Sequence, residues 1–94
     1  MAMVTAIILV QAERDKVQDV AQQFLDLGGV AEVYSVAGKF DLVAIARVPD
    51  NQALAELVTG SMSQVGGIVR TETLIAFQAF SKFDLERMFA IGME

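Results

Sequence analysis

Apolar residues follow two different periods along this 94-residue chain, and the two periods predict its elements. Short β-branched runs between polar residues indicate strands, whereas apolar residues three and four positions apart indicate helices. A pair of glycines after each helical pattern supplies the stop signal expected at a helix end. The predicted order is βαββαβ, with strands over Val4–Val10, Val30–Ala37, Phe40–Val48 and Ile68–Phe80, and helices over Glu13–Leu27 and between Asp50 and Gly66.

The two halves of the chain resemble each other when one is shifted by about 38 positions. VTAIILV (4–10) then aligns with LVAIARV (42–48), and LGGVAEV (27–33) aligns with VGGIVRT (65–71). Two βαβ units joined by a tight hairpin turn at Gly38 predict an α+β, ferredoxin-like fold with two helices on one face of a four-stranded antiparallel sheet. No linker interrupts the pattern, so residues 1–94 form one predicted domain, and residues 81–94 a short C-terminal helical tail.

Both faces of the predicted sheet are apolar. Strand three directs one set of residues to each side: Leu42, Ala44, Ala46 and Val48 to one, and Val43, Ile45 and Arg47 to the other. An antiparallel sheet with one face in water alternates apolar with polar residues, and these strands do not. Because two helices cover only one face, we expect a second copy of the chain to cover the other in a sheet-on-sheet homodimer. The alternative is a monomer that tolerates an exposed apolar patch.

Composition narrows the classes of function. The hydrophobic share is 54%, the net charge is −5, and the chain contains neither cysteine nor histidine. Disulfides, thiolate metal sites and the commonest general base are therefore excluded, and the acidic balance argues against binding of DNA. The apolar N-terminal run lacks a basic flank and is too short to span a bilayer, so we expect a cytoplasmic protein without membrane contact.

Motifs for catalysis, metal binding or cofactor binding are absent from the sequence, and we predict no enzyme activity, no metal and no cofactor. Two polar clusters remain, Gly38–Asp41 in the hairpin and Arg70–Thr73 at the start of the fourth strand. A carboxylate can accept from an ammonium group, while hydroxyls and free N–H groups suit a ligand carboxylate, so the clusters favour a small zwitterion. Alternatively, Asp41 supports the turn and the threonines reflect β-propensity.

These two clusters also carry a family resemblance. Residues 36–42, VAGKFDL, fit the pattern V-x-G-x-(Y/F)-D-(Y/F/L), and residues 67–73, GIVRTET, fit G-V-x-(R/K)-T-x-T. Both patterns are typical of the effector-binding domain of the Lrp/AsnC family of amino-acid-responsive regulators. The chain resembles that domain over nearly its whole length. Since it begins at the domain's first strand, with no room for a helix-turn-helix, it resembles the stand-alone members of the family.

The resemblance implies an oligomer and a ligand site. Members of the family dimerise through their sheets, assemble further into rings that are often octameric, and bind amino acids in clefts between dimers. Carried over by position, Gly38, Phe40 and Asp41 line one side of the cleft, and Gly66, Gly67, Ile68, Thr71 and Thr73 the other.

We therefore predict a module that senses an amino acid, assembles with itself and co-assembles with full-length Lrp/AsnC regulators. Two alternatives share the fold. One is an enzyme of the dimeric α/β-barrel type, similar to a monooxygenase, and the other is an ACT-type regulatory domain. The lack of histidine and of polar groups inside the strands counts against the enzyme. An ACT-type domain commonly has its functional glycine after the first strand, where this chain has QAERD.

Overall fold

The computed structural model describes residues 3–80, and its elements follow the predicted order. The predicted helix over residues 81–94 lies outside the described residues. The strands and helices are β1 (Val4–Ala12), α1 (Val17–Leu25), β2 (Val30–Ser35), β3 (Leu42–Val48), α2 (Asn51–Glu56) and β4 (Ile68–Ala76).

All strand pairs are antiparallel, and the sheet order is β2-β3-β1-β4. The predicted ferredoxin-like fold is therefore confirmed. We call the side of the sheet under the helices the helix face and the other side the open face. The strand register assigns each residue to one of these two faces, because directly opposed residues on neighbouring strands point to the same face. On the two central strands the helix face consists of Val4, Ala6, Ile8, Val10, Ala12, Leu42, Ala44, Ala46 and Val48.

The helix face forms the core. Its residues on β1 and β3 are buried, as the alternation predicts, except Val4 at the start of β1, which is half-buried. Val20 and Phe24 of α1 are completely buried against them. Full burial of a side chain of this size contributes roughly 1.5–3 kcal/mol, so the core rests chiefly on the two central strands and the apolar stripe of each helix.

The second helix changes its winding midway. After α2, a π-helical turn covers Leu57–Ser61 and a 3-10 turn covers Met62–Gln64. Leu57 and Met62 are both buried although they are five residues apart, a separation of about 140° in a regular α-helix. The wider π turn reduces this angle, so both side chains reach the core. The helix begins as predicted, since the Asp50 carboxylate accepts a bond from the N–H of Ala53 at 2.8 Å.

The two glycine pairs occupy equivalent positions in the two halves. Gly29 has φ +97° and Gly67 has φ +94°, which L side chains rarely adopt. Each glycine also accepts a backbone bond from near the end of a central strand: Gly29 from Arg47 and Gly67 from Glu13, both at 2.8 Å. This shared conformation supports the internal repeat that the sequence predicts.

Several boundaries differ from the predicted ones: β1 extends to Ala12, and α1 covers only Val17–Leu25. The β2–β3 connection is a six-residue loop, 36–41, rather than a two-residue turn, although Gly38 does have a positive φ of +136°. The reason lies at Asp41, whose N–H donates to the carbonyl of Val10 on β1 at 2.9 Å. Strand β4 ends at Ala76, four residues earlier than predicted.

Candidate functional site

Most of the predicted site residues lie at the end of the sheet where β1 ends, and Thr73 lies farther along β4, opposite Ile8. Two consecutive residues at the end of β1 connect the hairpin loop with the loop before β4. The N–H of Ala12 donates to Asp41 Oδ2 at 2.9 Å, and the N–H of Glu13 donates to the carbonyl of Gly67 at 2.8 Å. The hairpin loop and the loop before β4 are therefore held side by side within one protomer.

Asp41 has a structural contact of its own. Its half-buried carboxylate holds the last N–H of β1 while its backbone N–H bonds to Val10. A charge-assisted bond of this kind stabilises the loop by roughly 1.5–3 kcal/mol. This contact is the turn-supporting role that the sequence left open, and a contact with a ligand stays a prediction.

The register divides the other predicted residues between the two faces. Thr71 and Thr73 lie opposite Val10 and Ile8, and therefore on the helix side of edge strand β4. Phe40 instead stacks with Arg70, whose guanidinium carbon lies 5.1 Å from the ring centroid. Since successive residues of a strand point to opposite faces, Arg70 and Thr71 lie on opposite sides of β4.

A pocket of about 240 Å3 lies between the end of the second helix and the start of β4. We call it the β4 pocket, and its lining residues are Val58, Met62, Ser63, Val65, Ile68 and Thr71. It contains two of the predicted residues, Ile68 and Thr71. Its helix residues were absent from the sequence prediction, because no local pattern shows that edge strand β4 runs beside the second helix.

A second, more apolar depression continues along β4 on the other side of Val58. We call it the edge groove. It measures about 260 Å3 and contains Thr73, and its lining residues are Asn51, Leu54, Ala55, Val58, Thr59, Thr73 and Ile75.

The open face has an apolar centre and a polar rim. Cross-strand pairs place Ile7 beside Ile45 and Leu9 beside Val43. Leu74 of β4 lies opposite Ile7 and is 48% exposed. The centre is therefore a continuous apolar surface of branched side chains on three strands, as the sequence predicts.

The rim beside β2 carries an ionic cluster that the sequence analysis missed. Arg47 Nη1 lies 3.5 Å from Glu32 Oε1, and the hydroxyl of Tyr34 donates to Glu32 Oε2. The bond to Glu32, followed by its negative charge, raises the pKa of Tyr34. A β-bulge between Val30 and Glu32 brings these side chains together, and the sequence gives no signal for it.

Among residues 3–80, no three acidic side chains come close enough together to hold a metal ion. None of the helices in that range is long and apolar enough to cross a membrane.

Comparison with known families decides the relationship. Residues 5–84 match the model of the Lrp/AsnC ligand binding domain. The chain belongs to this family. The match includes both polar clusters and every described element except the first residue of β1.

Among the relatives, an uncharacterized helix-turn-helix-type transcriptional regulator of Pyrococcus horikoshii is 30% identical over 76 residues, 78% of this chain and 51% of the relative. The chain thus spans about half the length of the curated relatives it matches. The crystal structure of TTHA0845 from Thermus thermophilus is 40% identical, with a TM-score of 0.79, and covers 84% of this chain and 99% of its own.

A second similar structure is the complex of the transcriptional regulator NMB0573 from Neisseria meningitidis with L-Met. It is 18% identical, has a TM-score of 0.75, and covers 83% of this chain and 52% of its own. At that identity the likeness is one of fold.

Proposed function

We propose that this domain senses an amino acid and transmits its binding through assembly with other copies of itself and with full-length Lrp/AsnC regulators. The observation that carries the proposal is that the polar residues of the two clusters lie on both faces of the sheet, with Phe40 beside Arg70 on one side and Thr71 and Thr73 on the other. We infer that a ligand which contacts both sets of residues lies between chains, so that its binding depends on how the chains assemble. Family membership and the transcriptional regulators among the relatives support a regulatory role rather than an enzymatic one.

The open face supports the assembly step. Its centre of branched side chains would exclude water if the same face of a second copy packed against it, and such isologous contacts are the commonest in homo-oligomers. The ion pair and the tyrosine would then lie at the rim, where polar groups stay hydrated. Pairs of such dimers would associate into a ring, and an octamer is the size that we propose.

The β4 pocket supports the ligand step. At about 240 Å3 it is smaller than the roughly 300–1,000 Å3 of drug-sized ligand sites, so it suits one side chain rather than a whole large ligand. Val58, Met62 and Ile68 offer an apolar wall, and the hydroxyl of Thr71 offers a polar contact. Gly66 and Gly67 precede this wall, and Gly38, Phe40 and Asp41 of a neighbouring chain would complete the cleft. L-Met in the related complex has the size and the apolar side chain for such a pocket.

A thermal-shift screen of the twenty amino acids tests the ligand step, because binding to the native state raises the melting temperature. We expect a subset with apolar side chains to stabilise the protein and to change its size in light scattering. If no amino acid raises the melting temperature at millimolar concentration, the sensing proposal is wrong.

The variant Thr71→Val then tests the site with an isosteric change. Loss of one hydroxyl bond should weaken binding of the best amino acid by about tenfold in calorimetric titration. The matched control is Thr5→Val, which removes a hydroxyl from the open face opposite Arg47. Equal affinities for the two variants would place the ligand elsewhere.

We propose no direct role in DNA binding for this domain. Its net charge of −5 opposes contact with phosphates, which depends on clustered basic residues. In a gel-shift assay we expect no complex with duplex DNA at submicromolar protein. A complex that strengthens as salt is lowered would contradict this.

A further inference from the structure

The edge groove presents an apolar surface on the helix side of β4. Its walls come from the second helix and the edge strand, and Ile75 is 51% exposed within it. Only Asn51, Thr59 and Thr73 contribute polar side chains to its lining. An apolar depression beside an edge strand favours association, so we expect another segment of protein to occupy it.

The sequence contains a segment of matching chemistry. Residues 81–94 follow the described part of the chain, and residues 85–94 also lie beyond the family match, which ends at 84. Within this segment Leu85, Met88 and Phe89 have the spacing of one helical face, and Asp84 before them is a residue type that favours a helix start. The spacing predicts a short amphipathic helix with one apolar side and no partner within its own sequence.

The exit of β4 lies beside one end of the groove. Strands β3 and β4 both run antiparallel to β1, so the end of β4 and the start of α2 are at the same end of the sheet. Ile75 and Asn51, which line the groove, are at this end. After Ala76 the chain needs only a reversal of direction, and residues 77–80, all exposed, are long enough for one.

The lengths agree as well. From Ile75 back to Ile68 the strand spans about 23 Å at 3.3 Å per residue. A helix over residues 84–91 measures about 12 Å at 1.5 Å per residue, so it fits beside the strand.

We propose that residues 84–91 of the chain fold back as an amphipathic helix and dock in the edge groove of the same protomer, with Leu85, Met88 and Phe89 against Val58 and Ile75. The docked segment covers the edge of β4 and one wall of the β4 pocket. This inference does not require that an amino acid binds, and it therefore does not depend on the proposed function.

Thiol accessibility tests the docking in the full-length chain, which has no cysteine of its own. Ala55→Cys places a thiol in the groove, and Gln22→Cys places one on exposed α1 as the control. We expect a maleimide to modify the groove thiol about tenfold more slowly than the control, the protection given by a segment that is open about a tenth of the time. Adding Leu85→Asp and Phe89→Asp should restore the rate in the groove and leave that of the control unchanged. Equal rates with and without these two substitutions would overturn the proposal.

A crosslink identifies whose tail is docked. In a variant with Ala55→Cys and Glu86→Cys, a short bifunctional maleimide should link the two thiols within one chain, as seen by the mass of a crosslinked monomer. The control pair, Gln22→Cys with Glu86→Cys, should give little of this product. Crosslinks found only between chains would overturn docking in the same protomer and assign the groove to the tail of a second copy. Failure of every pair to crosslink would overturn docking altogether.

Discussion

The two faces of the sheet are built from neighbouring residues of the same strands, yet their side chains differ in size. The larger side chains would be expected on the buried face, and they lie on the open one. The buried helix face of the central strands contains four alanines, Ala6, Ala12, Ala44 and Ala46. The open face instead presents large branched side chains, Ile7 and Leu9 on β1 and Val43 and Ile45 on β3. The side under the helices thus has smaller residues than the side left open.

Packing explains the difference. Small residues on the helix face let two helices lie close to the sheet, where their own large side chains, such as Phe24, fill the space. On the open face no element of the described chain supplies that volume, so the strands carry it themselves. A surface of this kind gains most when an identical surface interdigitates with it. The difference in side-chain size therefore favours an open face that packs against another copy over an apolar patch that arose by chance.

The largest expected effect comes from placing one charge on each face. Ala44→Asp buries an unpaired carboxylate at a position with no exposure, which costs several kcal/mol and should abolish folding. Ile45→Asp, the next residue along the chain, places the same charge on the open face. We expect it to give a folded monomer, because water still solvates the charge there until a second copy covers it.

Circular dichroism and light scattering together separate these outcomes. The assembly role of the open face is contradicted if the Ile45→Asp variant has the same particle size as the parent protein. It is also contradicted if the parent is itself a stable monomer at micromolar concentration. Val43→Asp provides a second test on the open face, and it should behave like Ile45→Asp.

A smaller effect on stability is expected at Gly67, which packs against the start of the first helix. A methyl group on Gly67 would lie 2.7 Å from Lys16 Cβ, and the residue has a positive φ. Gly67→Ala should therefore lower the free energy of unfolding by about 1–3 kcal/mol. Gly66→Ala is the matched control, since a methyl group there meets nothing within 4 Å. Denaturant melts of both variants check this, and equal midpoints would contradict it.

Asp41 lies in the hairpin loop, at the end of the sheet where β1 ends. Asp41→Asn keeps an acceptor oxygen for the N–H of Ala12 but removes its charge, so we expect a loss of about 1 kcal/mol in stability. In a domain of this size that lowers the melting temperature by roughly 4–8 °C. If the carboxylate also binds the ligand's ammonium, calorimetric titration should show a ten- to a hundredfold loss of affinity, at about 1.4 kcal/mol per factor of ten. An unchanged affinity would assign Asp41 to the loop alone.

The sequence was sufficient for the fold because its signals were local and agreed with one another. Strand alternation placed Ala44 and Ile45 on opposite faces, and the repeated glycine pairs marked equivalent turns in the two halves. The candidate site was harder to predict, because it depends on pairing between distant strands. The register between β1 and β4 sends Thr71 and Thr73 to the side opposite Arg70, and no local pattern contains that register.

A substitution at the rim of the open face has the smallest expected effect. It is also the most direct test of what covers that face. Tyr34 is the only tyrosine in a chain without tryptophan, so its absorbance follows a single phenol through a pH titration. Its pKa is raised above the ordinary value of about 10, first by its bond to Glu32 and then by the charge of that carboxylate. Glu32→Gln should therefore lower the pKa of Tyr34 toward 10. A raised pKa in the folded state means that the contribution to stability is fully present below about pH 10 and is lost as the pH rises through the folded value.

The same titration, repeated over a dilution series, tests whether the rim takes part in assembly. Tyr34 is 50% exposed in the single protomer, so a second copy over the open face would remove part of its remaining water. Loss of water disfavours the charged phenolate and raises the pKa of Tyr34 further. We therefore expect the pKa to be higher in concentrated, assembled protein than in dilute protein that light scattering shows to be dissociated. Glu32→Gln should lower both values and keep the difference between them, because the bond and the covering act separately. If the pKa of Tyr34 is the same in both states while the particle size halves, the contact lies elsewhere than on the open face, and the contrast between the two faces has another cause.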